Sequence, residues 1–228
     1  HDDAQAAHAF FGAGGLGLAL GGIMTLMGRG TAKDITPRGA ILLTGSAWIV
    51  LSVAAAIPLK LSGLDISWTD ALFEATSGIT TTGATVLTGL QDLPAGILLW
   101  RSILQWIGGV GIIVTAMAIW PLLGIGGMQL FRLESSDKSE KALPRAGQIA
   151  AAVGVIYLVL TFLCFLAYLG AEMTPFEAIN HAMTTVATGG FSTHDSSIGA
   201  FSEGGADIVA LVFMVLAGLP FVLFLRAA

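Results

Sequence analysis

Two stretches of equal length decide the fold: SWTDALFEATSGITTTGAT at residues 67–85 and TPFEAINHAMTTVATGGFS at residues 174–192. Each opens with a hydroxyl residue and places an acid three positions later, Asp70 in one and Glu177 in the other. This is the sequence pattern of a helix N-terminus. About three helical turns follow before a run rich in Thr and Gly, and β-branched residues next to glycine end a helix. Each stretch therefore predicts a short helix followed by an extended loop.

The two stretches align without a gap at an offset of 107 residues, so that Gly83 meets Gly190. They lie in segments 60–101 and 172–207, which are too long for simple loops and too apolar in the middle for solvated ones. We expect both segments to dip into the protein and return. The chain then holds two copies of one membrane unit, made of a helix, a re-entrant pore helix, a filter loop and a second helix.

The composition requires a solvent other than water. Of the 228 residues, 55% are hydrophobic and 11% are charged, whereas about a quarter are charged in soluble domains. A helix needs roughly 20 apolar residues to cross a bilayer core about 30 Å thick. Five stretches of suitable length lack Asp, Glu, Lys and Arg: residues 9–28, 39–59, 102–131, 146–171 and 208–225. We predict an all-α integral membrane protein with five crossings.

The charged residues divide between the two sides of the membrane. Basic residues follow the first, third and fifth apolar stretches, and the positive-inside rule places those sites in the cytoplasm and the N-terminus outside. The outer segments hold acids: Asp65, Asp70, Glu74, Asp92, Glu172, Glu177, Asp195, Glu203 and Asp207. Their field is expected to concentrate cations at an outer mouth. The net charge of −5 excludes a nucleic-acid partner bound through bulk electrostatics, which leaves the lipid bilayer as the expected surroundings.

The Thr/Gly runs have the composition of a cation filter. A K⁺ ion leaves water only when oxygen dipoles replace its hydration shell, and backbone carbonyls do this in known filters. Glycine reaches positive φ at little cost, which lets a loop turn its carbonyls to one side. The residues predicted to line the filter are Thr81, Thr82, Gly83, Ala84, Thr188, Gly189, Gly190 and Phe191. Potassium would be held by Thr82, Gly83, Gly189 and Gly190.

Other residues of the two stretches are predicted to support the loops. Glu74 and His181 align under the offset and lie inside the short helices, where hydrogen bonding to the loops is expected rather than ion binding. Hydroxyl residues can hold a loop from behind or face the ion, and Thr80, Thr85 and Ser192 are assigned to support. This function needs no covalent chemistry and no cofactor. The residues leave K⁺ and Na⁺ both open, because selectivity depends on the number and stiffness of the carbonyls.

Several motifs are characteristic of a known family. They are FEATSG at residues 73–78 with TTTGAT at 80–85, WRS at 100–102 with QWIGGVGI at 105–112, PLLGIGGMQLFR at 121–132, and NHAM at 180–183 with THD at 193–195. Together they resemble the Trk/Ktr/HKT superfamily of potassium transporters, and most of all its bacterial TrkH type. The resemblance covers the chain from the first apolar stretch onward.

The resemblance implies potassium uptake across a bacterial inner membrane by four such units, arranged around one pore as in potassium channels. This chain would be a fragment with two of the four units: a lead-in helix at 1–33, a first unit at 34–123, a cytoplasmic connector at 124–146 and a second unit at 147–228. The resemblance also implies a homodimer of full-length subunits and a cytoplasmic nucleotide-binding regulatory subunit.

Two other functions fit parts of the sequence. A non-conducting structural membrane subunit is one, although it would not need two aligned Thr/Gly loops. An intramembrane hydrolase is the other, because His194 and Asp195 stand near Ser192, Ser196 and Ser197. Adjacent loop residues rarely converge as a catalytic triad does, and no Gly-x-Ser-x-Gly elbow occurs. We therefore expect no enzyme.

The third apolar stretch carries two further features. Arg101 lies at its outer start, where we expect the side chain to reach the interface or to pair with an outer acid. The Gly-Gly-x-Gly at 108–111 could suggest a phosphate loop, but inside an uncharged run it predicts close helix packing.

Overall fold

The computed structural model describes residues 2–28, 36–123 and 142–219, and the regular elements within these ranges are all helical. The α-helices are α1 (Asp2–Met27), α2 (Pro37–Leu61), α3 (Trp68–Ile79), α4 (Ala95–Leu123), α5 (Ala142–Gly170), α6 (Pro175–Val186) and α7 (Ala206–Gly218). Short 3₁₀ helices at Leu90–Asp92 and Ser197–Gly204 precede α4 and α7. The predicted all-α class is confirmed.

Four helices are long and apolar enough to cross a bilayer, over His8–Met27, Arg38–Leu61, Ala95–Ile113 and Ala151–Gly170. The chain is a multi-pass membrane protein. The fifth predicted stretch begins in α7, which has 13 residues and bends by 116° from the 3₁₀ helix before it. The rest of that stretch, and residues 124–141 of the predicted connector, lie outside the described residues.

The third crossing begins earlier than predicted. Helix α4 starts at Ala95, not at Ser102, because the helix continues through Arg101. The charge-free stretch begins only after that arginine, so the predicted crossing left out the first seven residues of the helix, 95–101. An internal partner for the Arg101 guanidinium makes the longer helix possible, as described below.

The two short helices begin with the same reciprocal cap. The backbone N–H of Asp70 donates to Ser67 Oγ at 3.1 Å, and the Ser67 N–H donates to the Asp70 carboxylate at 2.9 Å. Thr174 and Glu177 repeat both bonds at the start of α6, at 3.3 and 3.1 Å. Both helices are 12 residues long. The predicted helix starts are confirmed. Each cap stabilises its helix because it satisfies backbone donors that a helix N-terminus leaves free.

Helix α4 is the last helix of the first repeat, and it packs on both repeats. Leu104 on α4 belongs to a buried core with Ala71 and Ala75 of α3 and with residues of α2. Trp106 and Val110 of the same helix pack against a second core formed by α5, α6 and α7. Each repeat thus has its own core, and α4 joins them.

Two adjacent glycines allow α4 to approach the ends of both short helices. A Cβ atom at Gly108 would collide with the carbonyl oxygen of Ile79, the last residue of α3. A Cβ atom at Gly109 would lie 2.6 Å from the Tyr157 hydroxyl and 3.2 Å from the Cβ of Ala187, the residue directly after α6. The predicted packing role of this glycine motif is confirmed.

We expect Gly108→Ala to destabilise the protein by about 1–3 kcal/mol, because the added methyl group must push α4 away from the end of α3. Gly154→Ala in α5 is the matched control, since its Cβ would meet nothing within 4 Å and alanine favours helix. Thermal unfolding in detergent, followed by size-exclusion chromatography, measures both. Equal unfolding temperatures for the two variants would contradict the close approach.

Candidate functional site

The short helices α3 and α6 end in the same unusual backbone conformation. Thr81 and Thr188, which align under the offset of 107, have φ angles of 56° and 53°. Positive φ is strained for a β-branched residue and typically costs about 1–3 kcal/mol. A Schellman pair of backbone hydrogen bonds stabilises it in each repeat. In the first, the Thr81 N–H donates to Gly78 O and the Thr82 N–H donates to Ser77 O. In the second, the Thr188 N–H donates to Thr185 O and the Gly189 N–H donates to Thr184 O. Such strain is typical of ligand-binding segments.

The glycines that follow also match. Gly83 and Gly190 have φ angles of 78° and 82°. Their surroundings differ, however. A Cβ atom at Gly83 would collide with the carbonyl oxygen of Gly189 in the other repeat, whereas a Cβ atom at Gly190 would meet nothing within 4 Å. Gly83 is therefore required both by its backbone conformation and by the contact between the loops, and Gly190 by its conformation alone.

A buried carboxylate holds the first loop from behind. Glu74 is 0% exposed in the middle of α3. Its two oxygens accept the Thr85 hydroxyl, at 2.8 and 3.0 Å, and one of them also accepts the Val86 N–H at 3.1 Å. Thr85 Oγ1 accepts in turn from the Leu87 N–H at 3.1 Å. The interpretation of Glu74 as part of an outer cation-gathering field is wrong, because this carboxylate faces the protein interior.

An imidazole takes the place of the carboxylate in the second repeat. His181 Nδ1 lies 2.8 Å from the backbone oxygen of Glu177, which can only accept, so Nδ1 carries the hydrogen. In the neutral ring, Nε2 then accepts the Ser192 hydroxyl at 2.9 Å. Ser192 Oγ accepts the His194 N–H at 3.1 Å, which matches the bond to Thr85 in the first repeat. Both loops are thus braced at the same position by different chemistry.

Arg101 connects the two braces. Its side chain is 1% exposed, and Nε pairs with a Glu74 oxygen at 2.7 Å. Its two other nitrogens donate to the Ser192 carbonyl oxygen at 3.1 Å and to Thr85 Oγ1 at 3.2 Å. The expectation that Arg101 reaches the interface is wrong, because its side chain is buried, whereas the expected ion pair with an acid of the outer segments is confirmed by Glu74. Glu74 is buried rather than exposed at an outer surface, so the guanidinium bridges the first short helix and the loop of the second repeat.

The remaining predicted site residues fall into three groups. Thr80 and Thr82 share a hydroxyl hydrogen bond of 2.7 Å at the exposed surface of the first loop. Ala84 and Thr188 are also exposed. The Phe191 ring is buried, 3% exposed, with the Arg101 guanidinium 4.2 Å from its centre, so this residue can offer only its backbone to an ion. The ion-binding role of the loop residues stays a prediction.

Sequence reasoning missed Gln105, which lies one turn after Arg101 on α4. Its side chain is fully buried, and Oε1 accepts the Phe191 N–H at 3.1 Å. A Cβ atom at Gly189 would collide with its amide group. The spacing of Arg101, Gln105, Gly108 and Gly109 is the signal that could have revealed it, because positions i, i+4, i+7 and i+8 share one helix face.

Asp195 joins the segments that follow the two loops. Its oxygens accept the backbone N–H groups of Gly89 at 2.7 Å and Leu90 at 3.0 Å. These two bonds hold the pKa of the exposed carboxyl below its ordinary value of 3.8, and the bond from Leu90 has the larger effect. The carboxylate is therefore engaged with the first repeat instead of orienting His194 as a hydrolase would require. His181 is hydrogen-bonded to Ser192, but its other nitrogen faces a backbone oxygen and not a carboxylate.

The known proteins that this chain matches belong to one family. The TrkH family model, described as a cation transport protein, matches residues 14–228. The Trk system potassium uptake protein TrkH of Halomonas elongata is 44% identical over 216 residues, which is 93% of this chain and 45% of that protein. The TrkH protein of Escherichia coli is 43% identical over 204 residues, or 88% of this chain and 42% of that protein.

A solved structure agrees with these matches. The crystal structure of the potassium transporter TrkH from Vibrio parahaemolyticus superimposes with a TM-score of 0.82 at 38% identity, covering 96% of this chain and 44% of that one. The chain thus spans less than half the length of the relatives it matches.

We expect Arg101→Met to destabilise the protein by about 3–5 kcal/mol, because it leaves the Glu74 carboxylate buried without an opposite charge. The double variant Arg101→Met/Glu74→Gln removes both charges and keeps an acceptor for the Val86 N–H, so it should recover part of that loss. The thermal stabilities of Arg101→Met, Glu74→Gln and the double variant in detergent give the coupling energy between the two side chains. A double variant no more stable than Arg101→Met would contradict the pairing.

We expect Asp195→Asn to lower stability near neutral pH, because an amide nitrogen cannot accept the second N–H. A depressed pKa means that the carboxylate stabilises the fold above its unfolded value and loses this effect as the pH falls through the folded value. The stability difference between wild type and variant should therefore stay constant between pH 7 and about pH 5 and shrink as the pH falls below about 4. Thermal unfolding across this range measures it, with exposed Asp65→Asn as control; a difference that stays constant throughout would refute the assignment.

Proposed function

Because the chain belongs to the TrkH family of cation transport proteins, we propose that it supplies two filter loops of a transmembrane pathway for potassium uptake. The relatives that it matches are named as potassium uptake proteins. The observation that supports this function best is the pair of loops with matched positive-φ residues, Thr81 with Thr188 and Gly83 with Gly190, each directly after a short helix.

Electrostatics favours a cation beside these loops. A helix carries partial negative charge at its C-terminal end, and α3 and α6 both end where a loop begins. The buried positive charge of Arg101 is neutralised by Glu74. The guanidinium also donates to the Ser192 carbonyl oxygen, so it is held by the protein and does not compete with the proposed ion. Backbone oxygens of Thr82, Gly83, Gly189 and Gly190 are the proposed ligands, with dehydrated K⁺ as cargo.

The pathway is proposed to act as a cation channel in the bacterial inner membrane. Membrane potential then drives entry with about 2.3 kcal/mol per charge per 100 mV. Uptake coupled to H⁺ or Na⁺, as in a symporter, is the other mechanism open to such a pathway. K⁺ flux that continues with neither a pH gradient nor Na⁺ present supports the channel, whereas flux that stops under those conditions supports the symporter.

The family resemblance also supports a proposed assembly. It consists of a homodimer of full-length subunits, with a cytoplasmic nucleotide-binding subunit as regulator. The predicted connector at 124–146 is the part of this chain proposed to face that regulator. Crosslinking from cysteines placed in the connector would test the contact.

The function is tested by replacing the loop glycines in the full-length protein and measuring K⁺ and Na⁺ flux in liposomes. We expect Gly83→Ser and Gly190→Ser each to lower the K⁺ over Na⁺ permeability ratio roughly tenfold, equivalent to about 1.4 kcal/mol. The reason is that serine disfavours the positive φ that turns the carbonyls.

Gly199→Ser is the matched control, since it lies in the outer 3₁₀ helix and its Cβ would meet nothing within 4 Å. An unchanged permeability ratio in both loop variants would remove these loops from the filter. Absence of cation flux in wild type would support the alternative of a structural membrane subunit.

A further inference from the structure

Gln105 is a buried polar side chain that reaches from one repeat into the filter loop of the other. It belongs to α4 of the first repeat and is 0% exposed. Its Oε1 accepts the backbone N–H of Phe191 at 3.1 Å in the second repeat. Its Nε2 has no hydrogen-bond partner within the described ranges. A buried unpaired donor is destabilising, so packing alone does not explain a glutamine here.

The bond to Phe191 determines the direction of a neighbouring carbonyl. The described ranges contain no cis peptide bonds, so the Gly190–Phe191 peptide is trans. In a trans peptide the N–H and the C=O point in opposite directions. Since the Phe191 N–H points at Gln105, the Gly190 carbonyl must point away from α4. Gly190 lies on the exposed side of the loop, whereas Gln105 is buried behind it.

The surrounding glycines are adapted to this side chain. Gly189 has ordinary φ, yet a Cβ atom there would collide with the Gln105 amide, so its lack of a side chain makes room for Gln105. A Cβ atom at Gly83 would lie 3.6 Å from Gln105 Nε2. The amide thus sits where the backbones of the two loops meet. Under the offset of 107, Gly189 aligns with Thr82 of the first repeat. Thr82 is exposed and its hydroxyl hydrogen-bonds to Thr80.

We propose that Gln105 is a positioning residue for ion selection, which acts across the repeats by holding the Gly190 carbonyl toward the ion pathway. This inference rests on the proposed function and adds a residue outside both loops to the determinants of selectivity. The side chain does not touch the ion. It prevents rotation of one peptide, and a filter whose carbonyls can rotate loses the fixed cage that distinguishes K⁺ from Na⁺.

The test compares Gln105→Met with Gln105→Glu in the full-length protein in liposomes. Methionine has similar length and volume, but its thioether sulfur is only a weak acceptor for the Phe191 N–H, and we expect the K⁺ over Na⁺ permeability ratio to fall at least about fivefold. Glutamate keeps an acceptor oxygen at the same reach, so its ratio should stay within about twofold of wild type. Ser102→Ala is the control, because Ser102 is buried on the same helix and its hydroxyl donates to Leu98 O within α4.

Each outcome decides the assignment. A ratio that falls in the methionine variant and is retained in the glutamate variant supports it, and a ratio that is unchanged in the first or equally reduced in both overturns it. If Gln105→Met does not fold, Gln105→Asn replaces it: the side chain is one methylene too short, so the ratio should fall, and an unchanged ratio overturns the proposal. When Gly83→Ser or Gly190→Ser lowers the ratio and Gln105→Met does not, only the role of Gln105 fails; when neither loop variant nor Gln105→Met lowers it, the proposed function fails as well.

Discussion

Backbone that leaves helical structure inside a membrane must find its hydrogen bonds within the protein, because the bilayer core offers none. The two loops of this chain meet that requirement with buried side chains. Glu74 accepts the Val86 N–H, Gln105 accepts the Phe191 N–H, and Arg101 donates to the Ser192 carbonyl oxygen. Each of these groups would be costly to bury alone. The polar side chains and the loops therefore stabilise one another, and neither could remain in the interior without the other.

One face of α4 organises this arrangement. Arg101 and Gln105 reach the loops from that face, and one turn further along Gly108 and Gly109 bring the same helix against the ends of α3 and α6. Loop position and helix position are thus determined by four residues of a single element. Although α4 belongs to the first repeat, Arg101 hydrogen-bonds to the loops of both repeats.

The sequence predicted local features well, because they depend on neighbouring residues. The caps at Ser67 and Thr174 and the matched loops follow from short-range patterns and an internal repeat. Contacts between distant residues were not visible: Arg101 pairs with Glu74 across 27 positions and with Ser192 across 91. Charge alone placed Glu74 among the outer acids, while its alignment with His181 placed it inside a helix. The alignment was the better guide, since equivalent positions in a repeat share an environment even when one carries a carboxylate and the other an imidazole.

The contact between the repeats is head to tail, and this explains why two equivalent glycines differ. The first repeat contributes Gly83, Arg101 and Gln105, while the second contributes Gly189 and the backbone that follows it. Different surfaces of two similar units meet, and contacts of this kind close into a ring when the rotation between units permits. The side of Gly83 that would carry a Cβ atom contacts the second repeat, whereas the equivalent side of Gly190 has no atom within 4 Å.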